Sequence, residues 1–155
     1  MWREAIVPEF LEYTLDKFTF RVATDRYYNA DGVWAKEKNG RVNIGLSDFL
    51  QQSSGDIAFA DVVEAGTTLS FGEEVANIET IKVDISLPSP VAGIVIKVNP
   101  DMDMDPEVIN QDPYGQGWLA IIEASDWPTD QARLLDPQSY YEHMVAEAEE
   151  ELKNL

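Results

Sequence analysis

The chain has 155 residues, a formal net charge of −18 and no cysteine. That length is one domain's worth and buries roughly 68–70% of the extended surface. The absence of cysteine excludes disulfides, thiolate metal sites and thiol nucleophiles, and the single histidine, His143, argues against a histidine metal site or a Ser-His-Asp array.

The charge is uneven. Residues 1–50 carry a net of −1 and residues 51–155 a net of −17. Such a field repels nucleic acid and anionic membranes and favours basic docking surfaces. No run of 18 apolar residues occurs, and Met1 to Glu9 lacks the basic start and apolar stretch of a secretory signal. A cytoplasmic protein with no nucleic-acid or membrane partner is expected, and a monomer.

Residues 1–24 read as an extension packed on the domain. Ile6, Val7, Phe10, Leu11, Phe18 and Phe20 are too apolar for a disordered tail, and Phe18 to Val22 alternates like a strand. The domain itself is expected over 25–155. Val33–Lys36 and Arg41–Ile44 flank an Asn39-Gly40 turn, a strong hairpin signal. Leu46 to Gln52 predicts a short helix capped by Ser47 and ended by Gly55. Strands are expected over Asp56–Val62, Val75–Thr80, Val83–Leu87, Val91–Val98 and Trp118–Glu123. Many short strands punctuated by Gly and Pro predict a mainly β sandwich or barrel. The last helix starts at Asp136 and Pro137, and Tyr141, Met144, Val145, Ala148 and Leu152 make an apolar stripe along it. Its glutamate-rich end opposes the helix dipole, so the last turn is expected to fray.

Lys82 stands out in this pattern. It lies between two short strands, in Ile78-Glu79-Thr80-Ile81-Lys82-Val83-Asp84-Ile85-Ser86, with Pro88 and Pro90 stiffening the exit. A lone lysine at the crest of a hairpin is well placed to offer its amine to a modifying enzyme. Asp101, Asp103 and Asp105 have the alternation of a calcium loop. Pro106 stands where such a loop needs glycine, so a solvated loop is expected and no metal. No nucleophile–base pair or phosphate loop suggests an enzyme.

From about Tyr28 to Tyr141 the chain resembles the H-protein family of lipoyl carriers. The matching pieces, in order, are Asp31…Trp34, Ile44 to Phe49, Gly55 to Phe59, Gly72-Glu73-Glu74 through Glu79-Thr80-Ile81-Lys82, Ser89 to Gly93, and Asn110 to Leu119. The resemblance implies a barrel-sandwich hybrid of the lipoyl- and biotinyl-carrier type: two small antiparallel sheets, short helices and a C-terminal helix. It implies a non-catalytic carrier with lipoate in amide linkage on Lys82. Glu79 would then serve recognition by a lipoate ligase or other lipoate-attaching enzyme, and dihydrolipoamide dehydrogenase would be a partner. The arm would reach roughly 12–14 Å from the lysine Cα to the sulfurs. Biotin carriers flank their lysine with methionines; here Ile81 and Val83 stand there.

The arm-docking candidates by this resemblance are Asp31, Gly32, Val33, Trp34, Asp84 and Ser86. The glycine-cleavage pattern has His-Glu where this chain has Gly32-Val33, and Asp where it has Ser86. In that family the two carboxylates hold the aminomethyl ammonium. Their absence, with the longer N-terminus and the acidity, is similar to the H-like lipoate-binding proteins of sulfur oxidation. The expected cargo is therefore a sulfur intermediate or reducing equivalents, and the expected partner a heterodisulfide-reductase-like complex. The alternatives are an aminomethyl carrier in glycine cleavage and an unmodified interaction module.

Overall fold

The computed structural model describes residues 9–154. Ile6 and Val7, expected to pack on the domain, lie outside that range. The chain opens with a hairpin, β1 (Phe10–Leu15) and β2 (Phe18–Ala23), paired only with each other. β2 was legible from its alternation. β1 was not: the turn is Asp16-Lys17, with Asp16 at φ 57°, and it lacks the glycine that usually announces a tight hairpin.

A six-stranded sheet follows, in the order β3-β4-β5-β11-β10-β7. Its strands are β3 (Tyr27–Tyr28), β4 (Val33–Lys38), β5 (Arg41–Leu46), β7 (Thr68–Leu69), β10 (Gly93–Val98) and β11 (Ala120–Ala124). The β4–β5 turn is the expected Asn-Gly, with positive φ at both Asn39 and Gly40. A three-stranded sheet, β6-β8-β9, comprises β6 (Ile57–Val62), β8 (Glu74–Thr80) and β9 (Asp84–Pro88). All pairings are antiparallel, and neither sheet closes on itself. This is the expected mainly β, barrel-sandwich type of fold, without a closed barrel.

The helices are short until the last. They are α1 (Asp48–Ser54), α2 (Asp101–Met104), α3 (Val108–Gln111), α4 (Trp127–Gln131) and α5 (Pro137–Lys153). Ser47 caps α1 by accepting from the Leu50 N–H at 3.2 Å, and Asp136 caps α5 by accepting from the Ser139 N–H at 2.8 Å. Asp101 and Asp103 sit in the single turn of α2 with Asp105 as its C-cap. A helical turn spreads such side chains around its axis rather than converging them. Among the described residues no cluster of three or more His, Cys, Asp or Glu could hold a metal, and no helix is long and apolar enough to cross a membrane.

Two apolar cores meet at β4. Val33 and Ala35 face the space between the two sheets, packed with Ile44, Ile78, Leu87 and Ile122. Trp34, on the opposite face by strand alternation, joins Phe20, Val22, Phe49, Tyr140 and Met144 in a second core. The N-terminal hairpin thus contributes to a core. Phe20 and Val22 are buried, each contributing about 1.5–3 kcal/mol on burial. Tyr114 fastens the hairpin further, its hydroxyl donating to the Arg21 carbonyl at 2.7 Å; burial pushes that phenol up to about 12.

α5 is helical to Lys153. Ala148 is buried in the second core, and the Tyr13 hydroxyl donates to Glu149 at 2.9 Å, which ties this part of the helix to β1.

Candidate functional site

β8 and β9 run antiparallel and hold the turn Ile81-Lys82-Val83 at their crest. β-branched residues on both strands favour extended backbone up to the turn. The turn is fixed by Thr80. Its Oγ1 accepts from the Lys82 N–H at 3.1 Å and the Val83 N–H at 2.9 Å, while the Thr80 N–H donates to the Val83 carbonyl at 2.8 Å. A threonine hydroxyl two and three residues before the N–H groups it accepts is a local motif readable in sequence.

Lys82 is exposed, and its Nζ donates to the Ser53 carbonyl at 2.9 Å. That oxygen belongs to the last turn of α1, where carbonyls lack intrahelical partners and the helix end is partially negative. Among the described residues no carboxylate pairs with this amine. The arrangement suits acylation: an amide nitrogen at the same place keeps one N–H for Ser53, while the hydrocarbon stem is free to leave the hairpin. Nothing in the sequence pointed to Ser53, because the contact joins residues 29 apart.

Glu79 and Asp84 stand directly opposite one another below the turn, both exposed. Two apolar side chains flank the same crest. Ile81 is fully exposed, and Phe59, which pairs with Glu79 across the sheet, is 67% exposed.

The other candidates divide into surface and core. Asp31 is exposed, in a turn organised by Asn29. Asn29 Oδ1 accepts from the Asp31 and Val33 N–H groups, each at 3.0 Å, and its Nδ2 donates to the Pro88 carbonyl at 3.0 Å. Asn29 thereby links the Asp31 turn to β9, the strand that carries Asp84 and Ser86. Asp84 and Ser86 are both exposed, as residues two apart on a strand share a face.

Gly32, Val33 and Trp34 are buried. Gly32 has φ 91°, a conformation that strains any other residue, and a Cβ there would lie a tight 3.1 Å from both Ser47 Oγ and Tyr140 Oη. Val33 is in the core between the sheets. Trp34 lies against Gly45, where a Cβ would meet its ring at 2.5 Å, and its Nε1 donates to the Leu46 and Pro113 carbonyls at 3.0 Å. These three shape the floor beneath the Asp31 turn; their side chains offer an arm no exposed surface.

One carboxylate near Ser86 was missed from sequence. Ser86 Oγ donates to Glu74 Oε1 across the β8–β9 pair. Ser86 itself carries no charge, yet a negative group stands against it, supplied from the neighbouring strand.

The glycine cleavage H-protein family model matches residues 26–147 of this chain. The glycine cleavage system H protein 4 of Aquifex aeolicus is 39% identical over 132 residues, covering 85% of this chain and 77% of the relative. An H protein of Thermus thermophilus is 35% identical over 127 residues, covering 82% and 98% respectively. Among solved structures, the crystal structure of an H protein from Mycobacterium marinum superposes with a TM-score of 0.69 at 31% identity, over 76% of this chain and 94% of that one.

Proposed function

We propose that this chain, which belongs to the glycine cleavage H-protein family, is a lipoyl carrier of the glycine cleavage system, with lipoate in amide linkage to Lys82 Nζ. The family is one of non-catalytic proteins that carry lipoate on a lysine. The observation that supports Lys82 is its place: an exposed amine at the crest of a turn fixed by Thr80, with a carbonyl partner that survives acylation. Bound there, the dithiolane supplies thiol–disulfide chemistry and group carriage that a chain without cysteine lacks. The protein holds the arm's root, and partner enzymes perform the reactions.

This reading replaces sulfur oxidation as the first choice. The relatives described above are named for glycine cleavage, and the missing carboxylate near Ser86 has a substitute. Glu74, hydrogen-bonded to Ser86, and the exposed Asp31 leave negative charge on the surface beside the hairpin. A charge-assisted hydrogen bond to an aminomethyl ammonium contributes roughly 1.5–3 kcal/mol. Glu79 is assigned to recognition by the lipoate-attaching enzyme, and dihydrolipoamide dehydrogenase to reoxidation of the arm.

Two measurements test this. Intact mass after treatment with a lipoate ligase should show one adduct, absent in Lys82→Arg. The lipoylated protein should support glycine-dependent carbon dioxide exchange with glycine decarboxylase, and Glu74→Gln should weaken it. A second reading, a carrier for sulfur intermediates serving a heterodisulfide-reductase-like complex, is favoured by one observation: Val33 fills with core packing the position where the family pattern has glutamate. Lipoylation without glycine exchange, together with lost growth on reduced sulfur compounds after gene deletion, would establish that reading instead.

A further inference from the structure

The outer face of the six-stranded sheet is cationic in an acidic chain. Residues directly opposite one another on paired strands share a face, and the registers set out two rows. Lys36, Asn43, Ile121 and Lys97 form one across β4, β5, β11 and β10; Lys38, Arg41, Glu123 and Ile94 form the next. The four cations are exposed. They are four of the chain's 11 Lys and Arg, gathered on one face of a protein with 29 Asp and Glu. Over β4, β5 and β11 the face is concave, with a volume of about 570 Å³ lined by Lys36, Lys38, Asn39, Arg41, Asn43 and Ile121. Small-ligand sites run to roughly 300–1,000 Å³. The floor holds an unfinished hydrogen bond. Asn43 Oδ1 is buried without a partner, the one such side-chain atom among the described residues. A buried acceptor without a donor is costly, and a ligand that donates to it recovers that cost. The protein neutralises little of the charge above it. Lys36 Nζ is held by Asp25 at 3.0 Å, but among the described residues no ion pair includes Lys38 or Arg41. Glu37 lies on the opposite face by alternation, and its Oε2 accepts from the Gly40 N–H at 2.9 Å. Glu123 is the one acid in the two rows.

We propose that this concave face binds a protonated phosphoryl group, gripped by Lys38 and Arg41 and completed by Lys36 and the Asn43 amide. The class follows from the donors and the open acceptor. Ammonium and guanidinium groups suit a compact oxyanion, and the guanidinium fork matches two phosphate oxygens at once. A P–OH group donates to Asn43 Oδ1, which an ionised carboxylate or a sulfate cannot do. Hydrogen phosphate and the end of a phosphate monoester share this chemistry. Charge decides against an acidic polypeptide. Such a partner brings its whole charge toward a chain of net −18, whereas a small anion on the floor senses the charges within a Debye length of about 8 Å at physiological salt. The face is also separate from Lys82. Arg41 starts β5 and Leu46 ends it, roughly 17 Å further on. α1, whose Ser53 carbonyl holds the lysine amine, begins beyond Leu46. Binding there leaves the root of the arm free and does not depend on lipoylation.

The test titrates the full chain, labelled with nitrogen-15, at pH 6.5 and constant ionic strength. The probes are inorganic phosphate, glycerol phosphate, sulfate and hexaglutamate, and amide resonances report binding. Inorganic phosphate should give saturable shifts at Lys38 to Asn43, at Ile121 and at the Asn43 side-chain amide. Its affinity should exceed that of sulfate about fivefold, the contribution of one further hydrogen bond. Lys38→Gln and Arg41→Gln should each weaken phosphate binding about tenfold, as loss of a charge-assisted bond predicts. Lys17→Gln removes the same charge from the turn of the N-terminal hairpin and should leave affinity unchanged. Glu123→Gln removes the acid on the face and should tighten binding about twofold. Lys38 and Arg41 are both exposed, and circular dichroism checks that each variant is folded. Phosphate binding tighter than its ester assigns the site to the free ion, and the reverse assigns it to the end of a larger metabolite; both support the proposal. Shifts that fail to saturate, or sulfate affinity equal to that of phosphate, overturn it. So does phosphate affinity unchanged in both Lys38→Gln and Arg41→Gln, or lowered equally by Lys17→Gln. Hexaglutamate binding this face more tightly than phosphate gives the face to an acidic polypeptide and overturns it too.

Discussion

Replacing Thr80 by valine keeps the shape of the side chain and removes only the hydroxyl that shapes the lysine turn. Thr80 Oγ1 accepts from two backbone N–H groups, at 3.1 and 2.9 Å, and lies 3.3 Å from the Val83 carbonyl. Each such bond contributes roughly 0.5–1.5 kcal/mol net, and water replaces part of it at a half-exposed site, so the total loss is about 1 kcal/mol. For a chain of this size that lowers the melting temperature by about 2–4 °C. The functional effect is of the same size. If the lipoate-attaching enzyme accepts only the ordered turn, about 1 kcal/mol of lost order slows attachment by about fivefold at most. Thermal melts followed by circular dichroism and an initial-rate lipoylation assay measure the two quantities on the same samples. Thr80→Ser retains the hydroxyl and should attach lipoate at close to the wild-type rate. Normal attachment to Thr80→Val, or a Thr80→Ser variant as slow as Thr80→Val, would refute the role given to this hydroxyl.

Val33→Glu forces a carboxyl into the core between the sheets, forfeiting the valine's burial and desolvating a charge, at a cost of about 3 kcal/mol or more at pH 8. Burial raises the introduced carboxyl's folded-state pKa, so the variant is most stable below the unfolded value of roughly 4.3 and loses stability as pH rises through the folded one. Urea titrations at pH 5 and pH 8 should show the larger deficit at pH 8, and equal midpoints with wild type at both would place that side chain in solvent. Asp25 shows the opposite sign: partial burial raises its pKa, but its bonds to Arg26 and Lys36 outweigh that and hold it below the usual value. Its contribution is present above roughly pH 4 and is lost as pH falls through the depressed folded pKa. Asp25→Asn should cost about 1–2 kcal/mol at pH 7, less than a fully buried pair because the carboxylate is 25% exposed, and the difference from wild type should vanish in acid. Glu79→Ala should slow lipoate attachment while leaving stability unchanged or slightly raised, since Glu79 faces Asp84 directly and like charges across strands repel; a variant that melts early and is attached normally would reverse that assignment.

Local chemistry made much of this protein legible from its sequence. The Asn39-Gly40 turn, the Ser47 and Asp136 caps and the two strands leading to Lys82 depend on neighbours within a few residues, and each lies where the pattern put it. Lys82 could be singled out for the same reason: a turn between two β-branched strands exposes whatever stands at its crest. The resemblance then supplied the fold type and the carrier class.

Long-range contacts were a different matter. Ser53 meets the lysine amine across 29 residues, and Glu74 reaches Ser86 only because β8 and β9 pair. Gly32, Val33 and Trp34 read as surface for an arm, whereas β4 is covered on both faces, one by the opposing sheet and the other by the N-terminal hairpin and α5. No local rule announces a strand with two buried faces when its sequence continues into Lys36-Glu37-Lys38. The hairpin that supplies part of that cover owes its position to Phe20 and Val22 docking on Phe49 and Met144. Apolar burial is non-directional, so the sequence could show that these residues are buried, and only the packed chain could decide against what.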